Sequence, residues 1–311
     1  MDLTTHIGAL ELRTPLIMAS GTYGYGEEYQ DLVDFSSIGA ISVKGLTLKE
    51  RSGNPPPRVV ETPYGMLNAV GLQNEGVDKF IKEKVPLFKN IDPLIIANIS
   101  ASSLGEFIEL VKKLNGIKEI SALEVNVSCP NLDRGGMSFG KDPKAVFQLI
   151  KEIKKETDFH LMTKLTPNIT DITEVALAAE AAGSDSLSLI NTLLGMAIDV
   201  QTRKPKLANI TGGLSGPAIK PVALRMVWEV CQKVKIPVIG MGGISNFSDA
   251  LEFIIAGATA ISIGTINFIN PKAPEEIMAG IRQYMKERNI SSLKELRGTL
   301  KLPEKKNSGC H

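Results

Sequence analysis

The sequence predicts an α/β chain folded as one (β/α)8 TIM barrel, with hairpin and loop insertions over the barrel's C-terminal face. Short β-branched apolar runs alternate strictly with amphipathic helical patterns, the order that right-handed crossovers build into a parallel sheet. Eight such runs are present, the number that closes a barrel. A doubly wound open sheet is the alternative, but it more often carries GxGxxG after its first strand, and none is there.

In chain order the predicted strands are 16–20, 40–44, 94–100, 122–127, 160–165, 186–191, 237–241 and 260–264. Amphipathic helices are expected at about 104–114, 143–156, 172–182, 217–234, 247–256 and 274–287. The second of these opens on Asp142-Pro143. In the second strand Ile41 and Val43 face the helices while Ser42 and Lys44 face inward. In the fourth, Leu123, Val125 and Val127 form the apolar face and Glu124 and Asn126 point the other way.

Two connections are too long to be simple loops. Residues 45–93 carry a hairpin pattern around Thr62-Pro63-Tyr64 and then a helix near 77–88. Residues 192–216 end in Gly212-Gly213-Leu214-Ser215-Gly216. Long loops at strand C-terminal ends are where a barrel keeps its function. The expectation is a single domain over 1–311, with a frayed, uninformative tail over about 303–311.

Bulk properties narrow the function. A hydrophobic fraction of 43% with 22% charged residues is that of a soluble globular chain with a sizeable core. The formal net charge is +1 and like charges come at most in adjacent pairs such as Lys154-Lys155, which disfavours nucleic acid or an acidic membrane surface as partner. Cys129, Cys231 and Cys310 lie far apart without CxxC spacing, against a disulfide framework or a metal site and for a reducing cytoplasm. No apolar run approaches the roughly 20 residues that span a bilayer, and the N-terminus lacks the basic region of a secretory signal.

Polar residues at strand C-terminal ends converge on one opening in a barrel. Here they are Ser20, Lys44, Asn98, Asn126 with Cys129, Lys164 and Asn191. Either lysine alone reads equally well as a tip reaching solvent, but two of them among three asparagines ask for an anionic, hydrogen-bonding ligand. Gly242-Gly243 after the seventh strand and Gly264-Thr265 after the eighth either serve tight turns or let backbone N–H groups approach a phosphate. A phosphorylated cofactor with an electron-poor ring, such as FMN, suits the set. Cys129 is either a small apolar filler or a reactive thiol. It stands before a loop containing Gly135-Gly136 and Gly140 that can swing as a lid, and His6, His160 and His311 are poorly placed for catalysis, which makes Cys129 the best general base.

The run Asn126-Val127-Ser128-Cys129-Pro130-Asn131, with Ser42-Val43-Lys44-Gly45, Asn68-Ala69-Val70-Gly71-Leu72, Asn191-Thr192 and Gly242-Gly243, resembles the class 1 dihydroorotate dehydrogenases over about residues 3–290. Glu61-Thr62-Pro63-Tyr64-Gly65, Phe139-Gly140 with Asp142-Pro143, and Asn191-Thr192-Leu193-Leu194-Gly195-Met196-Ala197 look like subclass 1B, the NAD-linked catalytic subunit. The resemblance implies FMN in the barrel and dihydroorotate on its ring, with Cys129 taking the C5 proton while hydride passes from C6 to flavin N5. It implies substrate contacts from Lys44, Asn68, Ala69, Val70, Gly71, Leu72, Asn126, Asn191 and Thr192, with Asn131 a further contact. Flavin contacts would come from Ser20, Lys44, Gly45, Asn98, Asn126, Lys164, Ile190, Gly216, Gly242, Gly243, Gly264 and Thr265.

With no dinucleotide fingerprint and no cysteine cluster in this chain, the resemblance further implies a partner carrying FAD and a 2Fe–2S cluster, in a heterotetramer of two plus two. The rival expectations are subclass 1A, which passes electrons to fumarate, a phosphate-binding Schiff-base aldolase using Lys164 or Lys44, and a non-catalytic binding barrel.

Overall fold

Eight parallel strands close a barrel in chain order: Leu16–Met18, Ala40–Ser42, Leu94–Ile99, Ala122–Asn126, His160–Lys164, Ser186–Leu189, Val238–Met241 and Ala260–Ile263. This is a computed structural model, and it describes residues 1–128, 130–131 and 137–303. The strands fall where the apolar runs predict them but are shorter. Ser20, Lys44 and Asn191 each lie two residues beyond the last ladder residue, on the rim.

Strand alternation sorts the side chains into two shells. Ile41, Val43, Ala97, Leu123, Val125, Leu161, Leu187 and Ile261 face outward into one cluster with the surrounding helices. The inward set is layered. Ile17, Ala40, Ile96, Ala122, Met162, Ile239 and Ala260 form an apolar floor. Two residues beyond Ala40, Ile96, Ala122, Met162 and Ala260 stand Ser42, Asn98, Glu124, Lys164 and Ser262, joined by Ser188 of the sixth strand, all buried and all polar. An apolar floor under a polar layer makes one end of the barrel a plug and the other a binding surface.

The plug is completed by an element the sequence reading did not anticipate. Thr5–Ile7 pairs antiparallel with Leu10–Leu12, and Ile7 and Leu12 pack into the apolar floor. Among the described residues, six helices of ten or more residues surround the barrel: Leu104–Leu114, Pro143–Lys155, Ile172–Ala181, Lys220–Cys231, Phe247–Ala256 and Ala273–Glu287. Ser103, Asp142, Asp171 and Asn246 each accept a backbone N–H at the start of their helix, satisfying donors that the first turn leaves unpaired.

Two predicted helices need correction. The expected 217–234 helix is a 3-10 turn, Pro217–Ile219, followed by the α-helix Lys220–Cys231, with Pro221 in the first turn where its missing N–H does no harm. The stretch near 77–88 is one α-turn, Val77–Lys79, then a π-turn, Phe80–Lys84, and a 3-10 stretch, Val85–Asn90. Pro86 there removes a donor that a regular helix needs.

The two long insertions build one structure. Val59–Thr62 and Gly65–Asn68 form the expected hairpin, and Gly65–Asn68 also pairs with Thr211–Ser215, which pairs with Leu193–Met196. The resulting four-stranded antiparallel sheet lies over the C-terminal mouth of the barrel. Among the described residues no helix is long and apolar enough to cross a membrane, and no group of three or more His, Cys, Asp or Glu side chains is placed to hold a metal ion.

Candidate active site

Between the polar layer and the inserted sheet lies a cavity of about 550 Å³. Ser20, Lys44, Gly45, Asn98, Asn126 and Lys164 line it from the first five strands. Ile190, Asn191 and Thr192 enter after the sixth strand, Gly242 and Gly243 after the seventh, and Gly264 and Thr265 after the eighth. From the insertions come Asn68, Val70, Gly71, Leu72 and Gly216. Of the residues expected at the site, Ala69 is not on the wall; its carbonyl accepts from Asn54 Nδ2 at 2.8 Å. Cys129 and residues 132–136 of the expected lid lie outside the described residues. A smaller cavity of about 220 Å³, lined by His6, Leu293 and Arg297 among others, is remote from this set.

The cavity floor is organised by a buried carboxylate. Glu124 Oε2 accepts from Ser42 Oγ at 2.8 Å and from Asn98 Nδ2 at 2.6 Å, and its Oε1 accepts from Ser188 Oγ at 2.7 Å. Lys164 Nζ stands 3.8 Å from Oε2 and donates to Ser20 Oγ at 3.4 Å. Burial pushes the Glu124 carboxyl upward, but the Lys164 charge and the three donated hydrogen bonds outweigh it and hold the group below the usual carboxylate range. The floor thus carries a paired anion and cation.

The rim is an amide network. Asn191 Nδ2 reaches Asn126 Oδ1 at 3.2 Å and Ser128 Oγ at 2.9 Å, while Asn126 Oδ1 also accepts from the Ser128 backbone at 3.1 Å. Ser128 immediately precedes Cys129 in the sequence. Beyond it, the backbones of Pro130–Asn131 and Met137–Ser138 pair antiparallel, and Gly140 N–H donates to Val127 O at 2.8 Å. At the glycine-rich side Gly216 and Gly243 have φ of 98° and 77°, and Thr265 Oγ1 donates to Ser215 Oγ at 2.8 Å. Backbone N–H groups in such turns form anion-binding concavities.

A family model described as dihydroorotate dehydrogenase matches residues 2–285. The chain belongs to that family. It is 54% identical over 301 residues to the dihydroorotate dehydrogenase B (NAD(+)) catalytic subunit of Geotalea daltonii, covering 97% of this chain and 99% of the relative. The subunit of the same name from Caldicellulosiruptor bescii is 54% identical over 302 residues, covering 97% and 100%, and that of a Thermoanaerobacter species is 53% identical with the same coverage. Membership of this family carries a flavin with it.

Within a dihydroorotate dehydrogenase barrel, several residues stand at the site that the sequence reading did not select. Glu124 is foremost. Alternation turns it inward, which is the signal that was available. Ser42 and Ser188 follow the same rule, and Ser215 and Gln73 line the cavity from the insertions. Asn168 also went unselected: its Nδ2 donates to Thr192 O at 3.0 Å and its Oδ1 accepts from Leu194 N–H at 2.8 Å, pinning the loop after the sixth strand.

Proposed function

We propose that this chain is the FMN-binding catalytic subunit of an NAD-linked dihydroorotate dehydrogenase, an oxidoreductase that converts dihydroorotate to orotate in pyrimidine biosynthesis. The observation that carries this reading is the single cavity of about 550 Å³ in which two lysines, four asparagines and the glycines after strands seven and eight converge, in a chain of this family. The residues present fit a flavin. Ser262 Oγ is buried on the cavity wall with no hydrogen-bond partner, an orphan that a polar ring edge would satisfy. The whole chain would act as one FMN-binding domain.

Ser20, Lys44, Gly45, Asn98, Asn126, Lys164 and Ile190 would hold the ring, and Gly216, Gly242, Gly243, Gly264 and Thr265 the ribityl phosphate. When bound, FMN supplies the acceptor for the substrate's hydride. Lys164 holds a positive charge at the floor, where negative charge develops on reduction. Lys44, Asn68, Val70, Gly71, Leu72, Asn126, Asn191 and Thr192 would bind the carboxylate and ring amides of dihydroorotate and orient its C5–H toward Cys129. Cys129 then takes the C5 proton, since an adjacent thiolate is a competent base. The inserted sheet adds Val59, Met66, Asn68 and Ser215 to the cavity wall above the barrel mouth.

Electrons would leave through a partner subunit carrying FAD and a 2Fe–2S cluster, in a cytoplasmic heterotetramer of two plus two. The relatives' own name, catalytic subunit, supports a partner. The deciding experiment purifies the chain alone and with that partner, and assays dihydroorotate oxidation with NAD, fumarate and a dye. NAD reduction only in the complex is the expected result. Efficient fumarate reduction by the chain alone would move it to subclass 1A. The Cys129→Ser variant should keep FMN yet turn over far more slowly, with its pH optimum moved upward; unchanged turnover would remove Cys129 from the reaction.

A further inference from the structure

The geometry points to Glu124 as a positioning residue for the cofactor, one that sets both the charge and the donor–acceptor polarity of the cavity floor. This rests on the reading that a flavin occupies the cavity. Glu124 is 2% exposed and is not part of the cavity wall, so it acts through the residues that are. Its partners come from four other strands: Ser42, Asn98, Lys164 and Ser188.

The polarity argument is a matter of inventory. An ionised carboxylate only accepts, so Asn98 must turn its NH2 group toward Oε2, where it stands at 2.6 Å. The amide oxygen of Asn98 is thereby committed to the other side, 3.2 Å from where a Cβ on Gly45 would stand, and both residues line the cavity. With one N–H of its NH2 group spent on Glu124, Asn98 turns its amide oxygen toward Gly45, an acceptor that suits a ring N–H. The hydroxyls of Ser42 and Ser188 are likewise spent on the carboxylate.

The charge argument concerns Lys164. At 3.8 Å from Oε2 it is close enough to be balanced by Glu124, yet its Nζ lies outside direct hydrogen-bond range of that oxygen. Lys164 thus stays available to the cavity while Glu124 tempers its field. A flavin gains negative charge on reduction, so a bare lysine beneath it would favour the reduced form and a balanced one favours it less.

The test is the midpoint potential of the bound flavin in wild type, Glu124→Gln, Glu124→Asp, Lys164→Met and the Glu124→Gln/Lys164→Met pair, alongside thermal melts of the flavin-free proteins. Loss of the buried charge in Glu124→Gln should shift the reduction equilibrium toward reduced flavin by about tenfold or more, the scale on which one nearby buried charge alters an equilibrium. Glu124→Asp keeps the charge and should stay near wild type. In the Lys164→Met background the effect of Glu124→Gln should shrink to less than half, because the residue it balances is gone.

A Glu124→Gln potential equal to wild type, or a shift of the same size in both backgrounds, would overturn the inference. Should Glu124→Gln fail to fold, Glu124→Met decides, since it removes the same charge at similar length: its potential must rise as stated for Glu124→Gln, and no change refutes the pairing. A wild-type chain that takes up no flavin would instead overturn the reading of the site, which keeps the two failures distinct.

Discussion

Asn191 Nδ2 donates to Ser128 Oγ at 2.9 Å and so ties the rim of the sixth barrel strand to the residue preceding Cys129. The same nitrogen reaches Asn126 Oδ1, and Asn191 Oδ1 accepts from the Thr192 backbone at 2.8 Å. One amide therefore sets the positions of the fourth-strand tip and the loop after the sixth. Asn191→Ala should lower kcat/KM for dihydroorotate by about tenfold to a hundredfold, the cost of unpairing half-buried polar groups at a site that reads its ligand by hydrogen bonds. The flavin-to-protein ratio should stay at the wild-type value. Steady-state kinetics with absorbance measures both, and flavin loss at intact melting temperature would assign Asn191 to the cofactor instead.

Gly243 cannot carry a side chain without a local rearrangement. Its φ is 77°, and a Cβ there would stand 2.8 Å from Gly216 O and 2.8 Å from the Lys220 backbone nitrogen. Gly243→Ala should cost about 1–3 kcal/mol in backbone strain and push the Gly216 and Gly243 turns apart. The expected results are a lower melting temperature and weaker FMN binding, read by flavin fluorescence titration. FMN affinity equal to wild type would mean that these turns do not hold the phosphate.

The barrel was legible because each strand carries its own signal: a short apolar run whose alternation also separates Leu123 and Val125 from Glu124 and Asn126. What escaped was structure made by distant pairing. Leu67 pairs with Leu214 in the inserted sheet, and neither stretch announces the other, because cross-strand packing and not local propensity decides such a sheet. The N-terminal hairpin escaped because its two strands are three residues each, too short for a period to register. Glu124 was seen to face inward, but its partners come from four other strands and meet only when the barrel closes. An acid in an apolar run does not name them.

Phe139 anchors the returning end of the segment that begins at Cys129. It is buried, its ring meets Phe107 edge-on at 6.0 Å, and the following Gly140 is tied to Val127 through its N–H. Phe139→Ala should destabilise the fold by about 3–5 kcal/mol if the space does not collapse. Phe139→Leu should lose less and keep the anchor. Limited proteolysis with mass spectrometry should find the alanine variant cut faster between residues 128 and 139, with flavin still bound. Cleavage confined to other regions would show that Phe139 serves only the core.

His160 makes the stability of the chain fall with acid in a definable window. It begins the fifth strand, is 9% exposed, and its Nε2 lies 2.8 Å from Ser186 Oγ. Burial lowers its pKa to about 4; Asp185 opposes that shift and Lys154 adds to it. In the unfolded chain the ring titrates near its free value of about 6.5, so between there and about 4 the unfolded state binds more protons than the folded one. Stability therefore rises with pH across that window, is fully present above it, and is lost as the pH falls. The loss amounts to about 2 kcal/mol by about pH 5 and about 3 kcal/mol in all. Glu124, whose carboxyl is held low, gives up its contribution only at lower pH, so the upper part of the window belongs to His160. Urea denaturation at about pH 7 and about pH 5 measures this, and His160→Gln, which can still hydrogen-bond Ser186, should flatten the difference. An equal drop in both proteins would place the acid sensitivity elsewhere.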